Sequence, residues 1–375
     1  MLKDQQNSIY LAAISLGVRV AVFGWSDFGL EFQGLRSYFC GVISGANQSM
    51  IDDLTPSQGA PFRLAKRLGL GRKTLVDAGN QIGLRPAEGW QKRNMDFLNQ
   101  VLIPTLLAPR KPGCYYGDLP VAKSNEIGVT WLGHAGFFVQ VGGFNIAIDP
   151  VWALWLGPAK RLRHPSVWPH DLPPIDLVLI THAHHDHLHL ASLRKLTAAQ
   201  PIIVPEGVGS LVKNCGFSRI VELKTWQSAS LGDLRITLTP ARHWGARMIH
   251  DTHRGFGGFL IQSSSQTLYH CGDSSMFDGF GEIGKRAQID VALMPIGAYQ
   301  PPSGRPVHMN PEEALDAFEM VGARHMVPMH FETYPLSGEP LNEPIERLEI
   351  AAKERRLMDR VLRLQEGESS IFAPP

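Results

Sequence analysis

Cysteine is scarce in this chain. Four residues, Cys40, Cys114, Cys215 and Cys271, are scattered over 375 positions. None forms a C-x-x-C pair, so neither a thiolate zinc site nor a disulfide framework is indicated, and a reducing compartment fits. Net charge is lacking too. The 36 Lys and Arg against 35 Asp and Glu leave +1, which argues against a general nucleic-acid binder. No G-x-S-x-G appears, so a serine nucleophile on a strand-to-helix elbow is not expected. Long repeats and low-complexity tracts are absent. A full membrane span, which needs roughly 20 apolar residues, is also missing. The nearest stretch, Ile9 to Trp25, is short and carries Arg19 and two glycines. It reads first as a strand or helix packed on the body, then as a membrane-surface contact. A cleaved signal is the third reading, weakened because Asp4 cancels Lys3 and no A-x-A site follows.

What is present is a globular composition. Hydrophobic residues make up 44% and charged residues 19%, with 37 Gly and 27 Pro, the profile of a loop-rich folded chain rather than a disordered one. Length alone suggests two to three domains, but α/β chains of this size are often one domain with elaborations. Residues 1–125 show no repeating pattern and read as an N-terminal extension packed on a catalytic body of 126–375. Gly- and Pro-containing loops alternate there with short helical candidates such as Asp96–Leu107. From residue 127 short β runs alternate with Gly turns: 128–132, 137–141 and 144–148 form a predicted meander. Further strands are predicted at 177–181, 202–204, 220–223, 234–238, 258–262, 267–269, 291–295 and 325–328. Helices are expected at 190–196, at Pro311–Val321 with Asn310 as N-cap, and around 343–355. Strand runs with a few helices suggest two sheets with helices outside.

The densest chemistry is T-H-A-H-H-D-H-L, residues 181–188, at the end of the predicted strand 177–181. Every polar side chain of H-x-H-x-D-H is a good zinc ligand at about 2.0–2.2 Å. His182 and His184 can converge on one ion, while Asp186 and His187 can address a second. A chance histidine-rich loop is the bland alternative, but active-site loops follow buried strands. Two ions need more donors. His243 in A-R-H-W, Asp273 in C-G-D-S and His330 in P-M-H-F each follow a predicted strand.

This order of ligands resembles that of the metallo-β-lactamase superfamily. Within it the chain is most similar to the branch of N-acylphosphatidylethanolamine-hydrolysing phospholipase D and its bacterial relatives. The motifs carrying the likeness are W-L-G-H-A-G (131–136), I-D-P (148–150), G-P-A-K-R-L-R-H-P (157–165) and L-P-P-I-D-L-V-L-I-T-H-A-H-H-D-H-L (172–188). A-R-H-W (241–244), E-I-G-K-R (282–286), P-I-G-A-Y-Q-P (295–301) and H-M-N-P-E-E-A (308–314) continue it. It spans about residues 125–370 and leaves the first hundred or so uncovered. The resemblance implies an α+β fold, the αββα sandwich of two sheets flanked by helices. It assigns His182, His184 and His243 to one zinc, Asp186, His187 and His330 to the other, and Asp273 to a bridge. His185 departs from the mammalian lipase, which has an aromatic residue there; it is expected to face solvent.

Two Zn²⁺ so held would supply acidified water near neutral pH and charge for a displaced oxygen, though Mn²⁺ or Fe²⁺ also suits these donors. Asp186, Asp273 and His308 are the expected catalytic residues, His308 as a proton donor or phosphate contact. His134 is expected near the substrate, and Tyr299 along its pocket. Asp149 either fixes a ligand imidazole from behind or sits in an ordinary turn before Pro150. Residues 151–156, with Trp152 and Trp155, read as an apolar lid or as buried packing. Lys160, Arg161, Arg163 and Arg242 read as phosphate-attracting or as a solvated basic face. His189, His250, His253, His270 and His325 read as surface or packing residues. The expected activity is a phosphodiesterase of phospholipase D type on N-acylphosphatidylethanolamine-like lipids. A lactonase or other carboxylic hydrolase is the second reading, and a non-catalytic membrane-associated binding protein the third. The expected partner is a phospholipid or other small phosphodiester, with no nucleic acid. The expected location is cytoplasmic, with room for peripheral contact at the inner face of the membrane and for a homodimer.

Overall fold

Apolar residues two apart along each strand set the architecture. The computed structural model describes residues 87–196, 200–248 and 251–374. The Ile9–Trp25 stretch, Cys40, His250 and most of the 1–125 extension lie outside them. Three strands open the body: β1 Ile127–Gly133, β2 Gly136–Val141 and β3 Phe144–Ile148. A hairpin of β4 Trp155–Leu156 and β5 Ala159–Lys160 follows, then β6 Leu177–Leu179, β7 Ile202–Pro205 and β8 Ile220–Leu223. The second half runs through β9 Ser228–Leu231, β10 Leu234–Thr239, β11 Gly258–Gln262, β12 Thr267–His270, β13 Val291–Pro295 and β14 His325–Met329. β15 Ser369–Phe372 returns to the first half.

Each half follows the same plan. In the first sheet, ordered β15-β1-β2-β3-β6-β7-β8, the pairings from β15 to β3 are antiparallel and those from β3 to β8 parallel. In the second, ordered β14-β13-β12-β11-β10-β9, β9 to β12 pair antiparallel and β12 to β14 parallel. Side chains alternate across the first sheet. Phe137, Ile146, Ile148, Leu177 and Leu179 join a core shared with the second sheet and with helices Pro311–Val321 and Glu343–Glu354. Phe138, Ala147, Val178, Ile202 and Val204 pack on the opposite face with Leu193 and Val212 from helices Leu190–Leu193 and Gly209–Val212. The result is the αββα sandwich.

Two helices differ from expectation. The one predicted at 96–107 begins earlier, at Trp90, and passes through a π-helical stretch, Leu98–Leu102, before Ile103–Leu107. Pro104 has no N–H for the preceding turn, so the ladder widens just ahead of it. Helix Leu190–Leu193 stops three residues short; His189 caps it by accepting from the Ser192 N–H at 3.2 Å.

Candidate metal centre

The parallel strands end on one rim, and the acidic and imidazole side chains sit there. Asp149 follows β3, and residues 181–188 follow β6. His243 follows β10, Asp273 β12 and His330 β14, while His134 sits in the turn after β1. His308 lies between β13 and helix Pro311–Val321. Strand carboxyl ends are where open sheets gather ligands. Among the described residues three groups of donor atoms result, each within 4.8 Å of its neighbours: His134, Asp186, His187 and His330; His182, His184, His243 and Asp273; and Asp273, His308 and His330. The backbone is strained where it delivers them. His134, Asp149 and His330 have φ of 56°, 42° and 66°, in the left-handed region. Such residues cost of order 1–3 kcal/mol unless the surroundings fix them. The His330 N–H donates to the His134 carbonyl at 3.0 Å, and the His134 N–H to Thr333 Oγ1 at 2.7 Å. Gly297 leaves the room this needs: a Cβ there would lie 2.1 Å from the His330 carbonyl oxygen.

The far nitrogens decide what the near ones offer. Asp149 accepts from His187 Nδ1 at 2.7 Å and from the Thr181 N–H and Oγ1 at 2.8 and 2.5 Å. Thr181 Oγ1, having given its proton to Asp149, receives one from His182 Nδ1 at 3.0 Å. The Val307 carbonyl accepts from His243 Nδ1 at 3.0 Å. His182 and His243 therefore present bare Nε2 lone pairs. Both face His184 Nδ1, at 2.8 and 3.2 Å. One proton cannot satisfy three such nitrogens, whereas a cation can. On the other side Asp273 Oδ2 lies 3.1 Å from His187 Nε2 and 3.3 Å from His330 Nε2. It is also 3.6 and 3.8 Å from His182 and His243 Nε2, so one oxygen stands between the two groups. His184 Nε2, His187 Nε2, His330 Nε2 and Asp273 Oδ1 are buried without a hydrogen-bond partner, a cost that native structures rarely leave uncompensated. The donor set fits a pair of divalent cations.

Charge follows the same division. Burial, reinforced by His187 and His184, holds His182 well below the usual imidazole range. Burial likewise takes His184 to about 4 and His243 to about 3. These three are neutral donors. Burial opposes protonation of His330 as well, yet the carboxylates of Asp273 and Asp186 outweigh it and lift it to about 9. His187 is raised in the same way by Asp273, Asp186 and Asp149 against its burial. Asp186 and Asp273 stay ionised despite burial, with His187 the foremost cause in both. His184, Asp186 and His308 are half-buried while the others are fully buried, so the rim opens on their side.

The remaining candidates separate. His134 Nε2 pairs with Asp186 Oδ2 at 2.9 Å, and His308 Nδ1 lies 4.0 Å from Asp273. Tyr299 is not drawn into the cluster. Its hydroxyl donates to Glu343 at 2.7 Å, and its ring lines a neighbouring cavity. The lid reading of residues 151–156 gives way to packing. Trp152 is core, its indole donating to the Val167 carbonyl, and Val151, Ala153 and Leu156 cluster with Tyr334. Only Trp155 is exposed, beside Arg110 and Lys160. Nor is Arg161 a phosphate contact. Fully buried, it pairs with Glu366 at 2.7 Å and donates to the Leu132 and Val151 carbonyls. Lys160 and Arg163 bind carbonyls of residues 106–112, and Arg242 is exposed on the Met276 carbonyl. His185 and His253 are exposed, and His270 packs inside with Nε2 donating to Ala135. Sequence reasoning missed Thr181 and the Val307 carbonyl. Thr181 at the strand end directly before the cluster was the one available signal.

A beta-lactamase superfamily domain profile matches residues 144–331. The N-acyl-phosphatidylethanolamine-hydrolyzing phospholipase D 1 of Caenorhabditis elegans is 34% identical over 242 residues, covering 58% of this chain and 68% of its own. The mitochondrial enzyme of that name from Saccharomyces cerevisiae is 32% identical over 260 residues, 65% of this chain and 55% of its own. Igni18, a metallo hydrolase from the archaeon Ignicoccus hospitalis, superposes with a TM-score of 0.52 at 28% identity, covering 67% of this chain and 100% of that structure. The chain is therefore a metal-dependent hydrolase of the beta-lactamase superfamily, in the branch of the N-acylphosphatidylethanolamine-hydrolysing phospholipases D.

Proposed function

We propose that the chain is a dinuclear zinc phosphodiesterase that cleaves N-acylphosphatidylethanolamine-like lipids to a phosphatidic acid and an N-acylethanolamine. The convergence of two donor groups on the shared Asp273 oxygen carries this reading. On it, His182, His184 and His243 hold one ion, Asp186, His187 and His330 the other, and Asp273 joins them. Bound there, the pair of cations supplies Lewis acidity for water and for the phosphate oxygens. The protein residues supply position and protons. Asp149, Thr181 and the Val307 carbonyl fix which nitrogen of His187, His182 and His243 faces inward. Asp186, held by His134, and His308 line the open side, where a phosphodiester would enter. His308 is kept neutral chiefly by burial. On this reading its Nδ1, buried without a partner, serves as a phosphate contact. Lipid contact is supported by exposed Leu106, Leu107 and Trp155 beside Arg110 and Lys160. Among the described residues no helix is long and apolar enough to cross a membrane.

The test combines metal analysis with turnover. Purified protein should carry about two equivalents of zinc and hydrolyse both N-acylphosphatidylethanolamine and bis(p-nitrophenyl) phosphate. Asp273→Asn and His184→Ala should each lose metal and activity together. Turnover of lactones alone would transfer the chain to the carboxylic hydrolases. Full activity in either variant would remove the site assignment.

A further inference from the structure

A cavity of about 640 Å³ is lined by Arg93, Phe97, Gln100, Tyr299 and Arg305 among others, none of them a candidate metal ligand. That is room for a sizeable ligand. Arg305 is two residues ahead of the Val307 carbonyl that holds His243. Its guanidinium carbon lies 4.8 Å from the centre of the Trp244 ring. The Trp244 ring in turn meets the His184 ring at 4.3 Å, so one indole touches both the cation and a metal-ligating type of side chain. Arg93 of the same cavity spends its guanidinium on the carbonyls of Ala87, Glu88, Pro302 and Ser303. The Asp96 carboxylate is paired with Lys92 at 2.6 Å. Among the described residues Arg305 has neither an ion pair nor a side-chain hydrogen bond, and its Nε is buried without a partner. A partly buried, permanently charged group with one donor, Nε, buried and unmet is costly. The planar fork suits an anion of phosphate geometry, which it can grip with two parallel bonds.

We propose that Arg305, laid on Trp244, is a specificity-determining residue that pairs with the anionic phosphate of the substrate on the Trp244 side of the metal centre. The proposal rests on the phosphodiesterase reading, since a neutral lactone would leave the guanidinium unpaired.

Arg305→Gln and Arg305→Lys in the metal-loaded full-length protein test it with two measurements. Calorimetric titration with inorganic phosphate should show affinity weakened about ten- to a hundredfold by Arg305→Gln, the range of a charge-assisted hydrogen bond, and partly restored by Arg305→Lys. For bis(p-nitrophenyl) phosphate, KM should rise by a similar factor with kcat within about threefold, while turnover of a neutral ester stays unchanged. Phosphate affinity and KM within about twofold of the parent, at full metal content, would overturn the proposal. If the parent hydrolyses no phosphodiester, the functional reading fails by itself, and the phosphate titration alone decides Arg305: weakening supports the subsite, no change refutes it.

Discussion

At Asp149 one carboxylate serves three donors from the neighbouring strand end, the Thr181 N–H, the Thr181 hydroxyl and the His187 ring. It orients His187 and belongs to none of the three donor groups itself. Replacing Asp149 by Asn keeps the shape but loses the charge that holds the His187 tautomer. Metal affinity, measured by competition with a chromophoric chelator, should fall about 10–100-fold; an unaltered affinity would return Asp149 to an ordinary turn residue. Residue identity made part of this centre readable. H-x-H-x-D-H announces donors because those side chains have few other reasons to crowd together. Asp149 was readable only as one of two options, since a turn before Pro150 wants the same residue. The Val307 carbonyl could not be read at all, because every residue carries one. Arg305 was equally silent, and Trp244 stood only inside the motif A-R-H-W; the fold and not spacing brings the two together.

Among the elements, helix Pro311–Val321 is specified locally. Asn310 Oδ1 accepts from the Glu313 N–H at 2.9 Å while Glu313 returns a bond to the Asn310 N–H at 3.0 Å, a complete capping box. Asn310→Ala should cost about 0.5–2 kcal/mol of stability, read as a lower midpoint in denaturant unfolding with unchanged slope. A midpoint that does not move would show that tertiary packing alone holds the helix start. Elements with such local codes were legible: this helix, and the largely apolar strands β3, β8, β11 and β13, match their expected bounds. β14 was legible despite Pro328 because it is an edge strand, where a missing N–H is tolerated. Other elements were not. β9 reads Ser-Ala-Ser-Leu, and the helix Gly279–Gly284 contains three glycines. β15 finds its partner β1 only across almost the whole body, with Thr130 and Ser369 hydroxyls meeting at 2.8 Å. Propensity is weak in all three, and pairing remote in sequence decides.

For the whole molecule, the donors are divided between the two sheets. His134, Asp149 and residues 182–187 extend from the first, and His243, Asp273 and His330 from the second. Any cation held by both stabilises the folded state by mass action, about 2.7 kcal/mol when its concentration is a hundred times its dissociation constant. Chelation should therefore lower the melting temperature, and added zinc should restore it. Identical melting with and without chelator would mean that the sandwich does not depend on the ions.

That partition also dictates timing. A ribosome must finish both halves, down to His330, before the complete set of donors exists. Until then the growing polypeptide owns only fragments of the donor set, so a half-synthesised copy cannot assemble the site.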